Sequence, residues 1–326
     1  MGLHLLLTAW TFDPLTIISL VVLLGGYLYA VGPLRQRLAA QANSVRAESA
    51  EHAGQQGDDD VPGEPPQAAG AGESLADYPT RKMAYFVAGW ALLAFTLISP
   101  LDAIGRLYLF SAHTFQLFLI ITVIAPLLML GIPDWLTARL IPSASARRAT
   151  EGLMFQVVAV VLFNGIILIW HITPLYEAAL RNMTLHALQM LSFLVAGVLT
   201  WWPLLTPTTR RIRMSSPAQI LYLVLESLPL DFFGVAALFT SFVFYPVYAQ
   251  APRVFGLTAL ADQQIAGGIL AAPGNMIDLV LMSIIFFSWI AQMERAQIAR
   301  EREQYAREDA EQAEAEAASQ RSPAGR

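Results

Sequence analysis

Three histidines and one methionine in otherwise apolar stretches are the residues of this chain best suited to chemistry. His186 lies at the head of the apolar run LHALQM, and Met190 follows one helical turn later on the same helix face. His113 and His171 lie at the ends of two other apolar runs. Neutral imidazole binds copper, zinc, iron and nickel, and a thioether ligand favours Cu(I). These residue types predict a candidate metal site at His113, His171, His186 and Met190.

Polar side chains accompany the histidines at a similar depth. Gln116 and Gln189 each follow a histidine by three residues, so that each pair shares a helix face. Asp262 and Gln263 begin the last apolar run, and Asp231 lies deeper, within the run before it. Carboxylates in such places usually face the protein interior, where they are paired or line a polar cavity. The alternative to metal binding is that each histidine hydrogen-bonds neighbouring helices together.

The composition indicates which elements must position these residues. The chain has 326 residues, of which 56% are hydrophobic and only 14% are charged, whereas a soluble domain has about 25% charged residues. Apolar runs long enough to cross a bilayer occur at residues 14–32, 84–100, 107–130, 152–170, 184–205, 217–245 and 263–290. Continuous runs of this kind form helices, because lipid leaves no partner for an unpaired backbone group. We therefore predict an all-α integral membrane protein with seven transmembrane helices.

The positive charges predict the orientation of these helices. Seventeen of the twenty Lys and Arg residues fall in alternate connections and in the tail, and such residues mark the cytoplasmic side. The N-terminus is then outside and the C-terminus is cytoplasmic. This orientation places His113, His171 and His186 at the outer level. Close helix packing at that level is expected at Gly267 and Gly268, because small residues let helices approach.

We divide the chain into four regions. Residues 1–38 hold the first transmembrane helix and its flanks, without a cleavable signal peptide. Residues 39–80 are rich in Ala, Gly, Pro and acidic residues, which predicts a disordered cytoplasmic loop. Residues 81–290 hold the remaining six helices. Residues 291–326 place Glu and Arg three and four residues apart without an apolar stripe, which predicts a solvated cytoplasmic helical tail.

Several classes of function have no support in the sequence. The chain has no cysteine, which excludes disulfides and thiolate sites. It has no phosphate-binding loop, HExxH or GxSxG motif, and no basic patch suited to nucleic acid. Two other membrane functions stay open: a haem-binding electron carrier with two histidine ligands, and an ion-translocating protein that uses Glu226, Asp231 and Asp278.

Longer stretches of the sequence point to one family. Five stretches carry this likeness through their order and spacing along the chain. They are WTFDPL, FSAHTFQLFLIITVIAPLLMLGIP, IWHITPLYEAALRNMTLHALQMLSFLVAGVLTWWPLL, YPVYAQAPRVFGLTALADQQIAGGILAAPG and WIAQMER. Together they resemble the CtaG-like family of caa-type cytochrome c oxidase assembly factors, seven-helix proteins of the bacterial plasma membrane. The resemblance implies a protein without enzymatic activity that helps to assemble a haem-copper oxidase by supporting its copper supply. Its expected partners are an oxidase subunit or a copper donor protein, within the lipid bilayer.

This chain departs from the family pattern at the histidine motifs. Those motifs read close to HMxQH and HxxEH, but here Leu117 and Met190 replace the second histidine of each, and Gln189 replaces the acid. Leucine cannot coordinate a metal, and methionine holds Cu(I) but binds Cu(II) or zinc poorly. The resemblance therefore implies either a weakened Cu(I) site of the three histidines and Met190, or a metal-free scaffold for oxidase assembly.

Overall fold

The regular structure of the described residues is helical. A computed structural model describes residue 4 and residues 8–55, 80–140, 153–205 and 214–321. This part of the chain contains no β-strand, which confirms the predicted all-α class. The helices are α1 (Pro14–Tyr29), α2 (Arg35–Gln55), α3 (Thr80–Ile98), α4 (Pro100–Leu107), α5 (Phe110–Phe118), α6 (Ala125–Leu130), α7 (Asp134–Leu140), α8 (Leu153–Trp170), α9 (Thr173–Arg181), α10 (Met183–Leu205), α11 (Ser216–Phe239), α12 (Pro246–Gln250), α13 (Ala259–Ile269) and α14 (Asn275–Arg321).

Within the described ranges, three π-helical turns join neighbouring helices into continuous rods. They connect α1 to α2 at Ala30–Leu34, α5 to α6 at Leu119–Ile124, and α13 to α14 at Leu270–Gly274. The first and third turns contain Pro33 and Pro273. Proline has no N–H group and its ring crowds the carbonyl four residues earlier, so a wider turn lets the rod continue past it.

Six of the helical rods are long and apolar enough to cross a membrane. They are Pro14–Val45, Thr80–Ile98, Phe110–Leu130, Met183–Leu205, Ser216–Phe239 and Ala259–Glu314. Two further helices, Met154–Trp170 and Thr173–Arg181, are long and apolar enough when they are taken together. The chain bends by 71° between them. The described residues therefore contain six candidate spans, or up to seven if the bent pair counts as one.

Two predicted boundaries need correction. The sixth apolar run was expected to be helical to residue 245, but α11 ends at Phe239 because residues 240–245 leave the helix before Pro246 begins α12. Residues 39–55 were expected to be disordered, but they belong to α2. That stretch contains six alanines, the residue that favours helix most. It also prolongs an existing rod, so it needs no costly nucleation. Residues 56–79 lie outside the described residues.

The backbones of α11 and α13 approach each other closely at Gly234 and Gly267. A Cβ atom on Gly267 would lie 2.5 Å from both the Gly234 carbonyl oxygen and the Leu238 amide nitrogen. The expectation of close approach is therefore correct for Gly267. It is wrong for Gly268, whose added Cβ would have no atom within 4 Å, because adjacent helical residues point in different directions.

This contrast predicts different effects of the same substitution at neighbouring positions. Gly267→Ala should destabilise the protein by about 1–3 kcal/mol, because a methyl group would collide with backbone that cannot rotate away. Gly268→Ala should leave stability unchanged or raise it, since alanine favours helix more than glycine. Thermal unfolding of the two purified variants in detergent checks this, and equal melting temperatures would contradict the packing.

Candidate functional site

The structure brings two of the predicted histidines together. His113 lies in the first turn of α5 and His186 in the first turn of α10, and their ring centres are 5.7 Å apart. The exposed fraction is 0% for His113 and 5% for His186. Two imidazoles from separate spans therefore share one buried location.

A buried carboxylate orients His186 of this pair. Asp102 of α4 accepts hydrogen bonds from Nε2 of His186 at 2.9 Å and from Nε2 of Gln116 at 3.3 Å. The Gln116 amide also donates to the Thr96 carbonyl at 2.9 Å. Since an ionised carboxylate only accepts, Nε2 of His186 carries a proton, and in the neutral imidazole Nδ1 is left as the lone-pair nitrogen. A carboxylate bonded to the far nitrogen is the usual support of a metal-binding histidine.

Several buried polar atoms on α5 and α10 find no hydrogen-bond partner among the described residues. They include both ring nitrogens of His113, Nδ1 of His186, and both amide atoms of Gln189. Gln189 is 0% exposed and follows His186 by three residues on α10. Because native proteins pair nearly all buried polar groups, a cluster of unpaired atoms indicates a place for a bound ion or water.

His171 lies close to this location but faces other partners. Its Nδ1 donates to the Ile167 carbonyl at 2.7 Å, one turn back on α8, and its ring lies 4.7 Å from that of Phe233. The Tyr176 ring contacts both His113, at 5.0 Å, and His171, at 5.8 Å. An aromatic side chain therefore packs against both histidines, and His171 makes no ring contact with His113 or His186 within the part described.

Met190 also lies outside the pair. Its side chain is 2% exposed and belongs to an apolar cluster that includes Leu20 and Leu93. It lines a cavity of about 300 Å³ between α1, α3 and α10. The four predicted ligands thus do not converge, and the described residues hold no group of three or more His, Asp or Glu side chains that suits a metal ion.

Asp262 holds the helix that carries His113. Its carboxylate accepts hydrogen bonds from the backbone N–H groups of Phe110 at 2.6 Å and Ser111 at 3.2 Å, and from the Ser111 hydroxyl. The residue before α5, Leu109, offers no side-chain cap. Asp262 of α13 therefore caps α5 and places a negative charge at the positive end of its dipole.

Gln263 fixes the connection between α11 and α12. Its side-chain amide donates to the Phe242 carbonyl at 2.9 Å and accepts from the Phe244 N–H at 2.6 Å. This extended segment leads to Tyr248, whose hydroxyl donates to the Gly105 carbonyl at 2.7 Å. Burial raises the pKa of the Tyr248 phenol well above its ordinary value, so the hydroxyl stays protonated as a donor. Gln263 and Tyr248 thus support α4, which carries Asp102.

Asp231 belongs to a different place in the bundle. It lines a cavity of about 60 Å³ together with Glu226 of α11 and Asp278 of α14. The lining includes none of the histidines. The cavity at Asp231 therefore gives no contact that supports the predicted role of this residue beside the histidines.

The sequence prediction missed Asp102, Tyr176 and Tyr248. Asp102 could have been found from the sequence. It is an acidic residue amid apolar ones, in the first turn of the helix that begins at SPLD, and such an acid needs a buried partner. The sequence gives no comparable signal for the two tyrosines, because buried tyrosines are common and their hydrogen-bond partners here lie far away in the chain.

These features define a multi-pass helical membrane protein with a buried histidine–carboxylate network. Residues 68–292 match the family described as cytochrome c oxidase caa3 assembly factor (Caa3_CtaG). The chain belongs to this family, and the resemblance stated above is confirmed. The several apolar helices of the described residues fit a multi-pass membrane protein.

Curated relatives come from mycobacteria. Uncharacterized proteins of Mycobacterium bovis and Mycobacterium tuberculosis are each 26% identical over 307 residues, which cover 89% of this chain and 40% of theirs. A third, from Mycobacterium leprae, is 24% identical over 243 residues, which cover 69% of this chain and 36% of its own length. The chain therefore spans about two fifths of the length of these relatives. No solved structure matches the chain significantly.

The cap on α5 makes a testable contribution to stability. Asp262→Ala should destabilise the protein by about 1–3 kcal/mol, because it leaves two N–H groups at a buried helix start without an acceptor. Asp134→Ala is a suitable control, since it removes the partly exposed ion pair with Lys82, which is worth about 0–1 kcal/mol. Thermal unfolding in detergent compares the two, and equal losses would contradict the capping role.

Proposed function

We propose that this protein supports the copper supply of a haem-copper cytochrome c oxidase through a buried site at His113 and His186. The observation that carries the proposal is the pair of adjacent imidazoles with unpaired nitrogens. Copper is the cargo here, and neutral imidazole is one of its common ligands. The chain acts as an assembly factor without catalysing a reaction.

The residues around the pair suit this role. Nδ1 of His186 and a ring nitrogen of His113 would hold the ion, while Asp102 keeps the His186 ring in one orientation. Gln116 fixes Asp102 in turn by donating to it. His171 and Met190, which the sequence placed in the same set, have other neighbours and are not needed for this site.

The surrounding topology belongs to the same proposal. We propose seven spans, with the bent α8–α9 pair counted as one, the N-terminus outside the bacterial plasma membrane and the end of α14 in the cytoplasm. The Lys and Arg bias of the connections supports this orientation. The histidine pair then lies near the outer level, where an oxidase subunit or a copper donor protein would approach it.

Copper delivery can be tested by gene deletion and complementation. Deletion should lower both haem-copper oxidase activity and the copper content of purified membranes. His113→Ala and His186→Ala should fail to restore them, because each removes one of the two ligands. His171→Ala and Met190→Leu should restore at least half, and the methionine change costs little because it conserves volume.

The same variants distinguish copper supply from a metal-free scaffold. A scaffold holds an oxidase subunit through the bundle, and it predicts full restoration by His113→Ala and His186→Ala variants that insert normally. Immunodetection in membranes controls for insertion. Unchanged oxidase activity after gene deletion would reject both functions.

Labelling tests the orientation cleanly, because the chain has no cysteine of its own. An Ala251→Cys variant, in the connection between α12 and α13, should react with a membrane-impermeant maleimide in intact cells. A Ser215→Cys variant, just before α11, should react only after the cells are permeabilised. The opposite pattern would invert the topology.

A further inference from the structure

We infer that Tyr176 is the positioning residue of His113 in the copper site, as Asp102 is for His186. This inference rests on the proposed function. Tyr176 lies on α9 and is fully buried. Its ring centre lies 5.0 Å from that of His113, and the two ring planes meet at 72°. Tyr176 would not bind the ion, and it acts on the site through the histidine that it contacts.

His113 needs a partner of this kind, because no described hydrogen bond fixes the orientation of its ring. Both ring nitrogens lack a hydrogen-bond partner among the described residues. The aromatic rings in contact with His113 there are those of Tyr176 and His186. Aromatic pairs favour an edge-to-face arrangement with centres about 4.5–7 Å apart. Such a contact orients the imidazole and leaves both nitrogens free for an ion, whereas a hydrogen bond would occupy one of them.

Tyr176 is itself held on one face and at its hydroxyl. Its ring stacks on that of Tyr245, with centres 4.0 Å apart, and its hydroxyl lies 3.1 Å from the Tyr248 hydroxyl. The single hydrogen of the Tyr248 hydroxyl is donated to the Gly105 carbonyl at 2.7 Å, so Tyr176 is the donor to Tyr248. The ring that contacts His113 is therefore fixed in place.

The same hydroxyl chain ends at the backbone of His113. A Cβ atom on Gly105 would lie 2.8 Å from the His113 amide nitrogen and 3.0 Å from its Cα atom. Gly105 thus lies against the backbone of His113, while Tyr176 lies against its ring. Holding a ligand in one orientation before the ion arrives raises affinity, because less ordering is left for the binding step.

The experiment compares Cu(I) affinity and thermal stability in the purified full-length protein. Cu(I) affinity is determined anaerobically by competition with a chromophoric chelator, and stability by thermal unfolding of the metal-free protein. Tyr176→Leu should weaken Cu(I) binding about tenfold or more, the usual effect of removing the support of a metal-binding histidine. Tyr176→Phe keeps the ring and should bind Cu(I) within about threefold of the wild type.

Tyr222 of α11 provides the matched control. It is 4% exposed and its hydroxyl donates to the Thr200 carbonyl at 2.7 Å, so Tyr222→Leu also removes a buried, hydrogen-bonded ring. Within the described residues, the Tyr222 ring contacts no histidine ring. Tyr222→Leu should lower the melting temperature, as Tyr176→Leu does, and leave Cu(I) affinity unchanged.

A measurement on the wild-type chain covers the case in which Tyr176→Leu does not fold. With 3-fluorotyrosine incorporated, the fluorine resonances of Tyr176 and Tyr222 are assigned from their absence in Tyr176→Phe and Tyr222→Phe. Addition of Cu(I) should shift the Tyr176 resonance, because its ring contacts that of a ligand. The Tyr222 resonance should stay in place.

The outcomes separate this inference from the proposed function. A wild-type protein that binds no Cu(I) overturns the proposed copper function, and the inference falls with it. Where the wild type binds Cu(I), unchanged affinity in Tyr176→Leu or an equal loss in Tyr222→Leu overturns the inference alone. Binding by Tyr176→Phe that is as weak as that of Tyr176→Leu also overturns it, as does a Tyr176 resonance that Cu(I) leaves in place.

Discussion

Burial of the Asp102 carboxylate inside an apolar bundle is the constraint on which this site depends. Asp102 is 4% exposed, and a charge in such a place is tolerated only when hydrogen bonds compensate it. The compensation comes from His186 on α10 and Gln116 on α5. One carboxylate therefore ties three helices together, and the two helices that it holds are those that carry the histidines. The packing of these helices and the geometry of the pair cannot be varied independently.

A second buried carboxylate, that of Asp262, is likewise compensated by hydrogen bonds, at the N-terminal end of α5. Asp262 caps the first turn of that helix from α13, while Gly105 allows α4 to lie against its side. A Cβ atom at Gly105 would lie 2.8 Å from the His113 amide nitrogen and 2.7 Å from Oε1 of Gln116. His113 is thus held by partners from both sides, although neither of its ring nitrogens is used in a described hydrogen bond. Such positioning of an unpaired side chain is a feature of binding sites, whose groups are oriented by the structure around them.

The helices could be predicted from the sequence because their cause is local. A run of about twenty apolar residues is enough to favour a spanning helix, and the rods from α3, α5 and α10 follow the predicted runs closely. The errors arose where a distant or neighbouring element decides the outcome. The helical state of residues 39–55 depends on the rod before them, and the different packing of Gly267 and Gly268 depends on where α11 crosses α13.

Only part of the site could be predicted, because helix rotation is not encoded in the length or hydrophobicity of a run. The adjacency of His113 and His186 follows from their positions at the starts of two helices. The hydrogen bonds of Asp102 and Asp262 join residues 84 and about 150 positions apart, and no periodic pattern reports such pairs. Met190 is the clearest case in which the direction of a side chain could not be predicted from the sequence. Four residues at 3.6 per turn exceed one turn by about 40°, and this rotation suffices to direct its side chain to the cavity beside α1 and α3, while His186 faces α4 and α5. Methionine at this position is therefore explained by apolar packing.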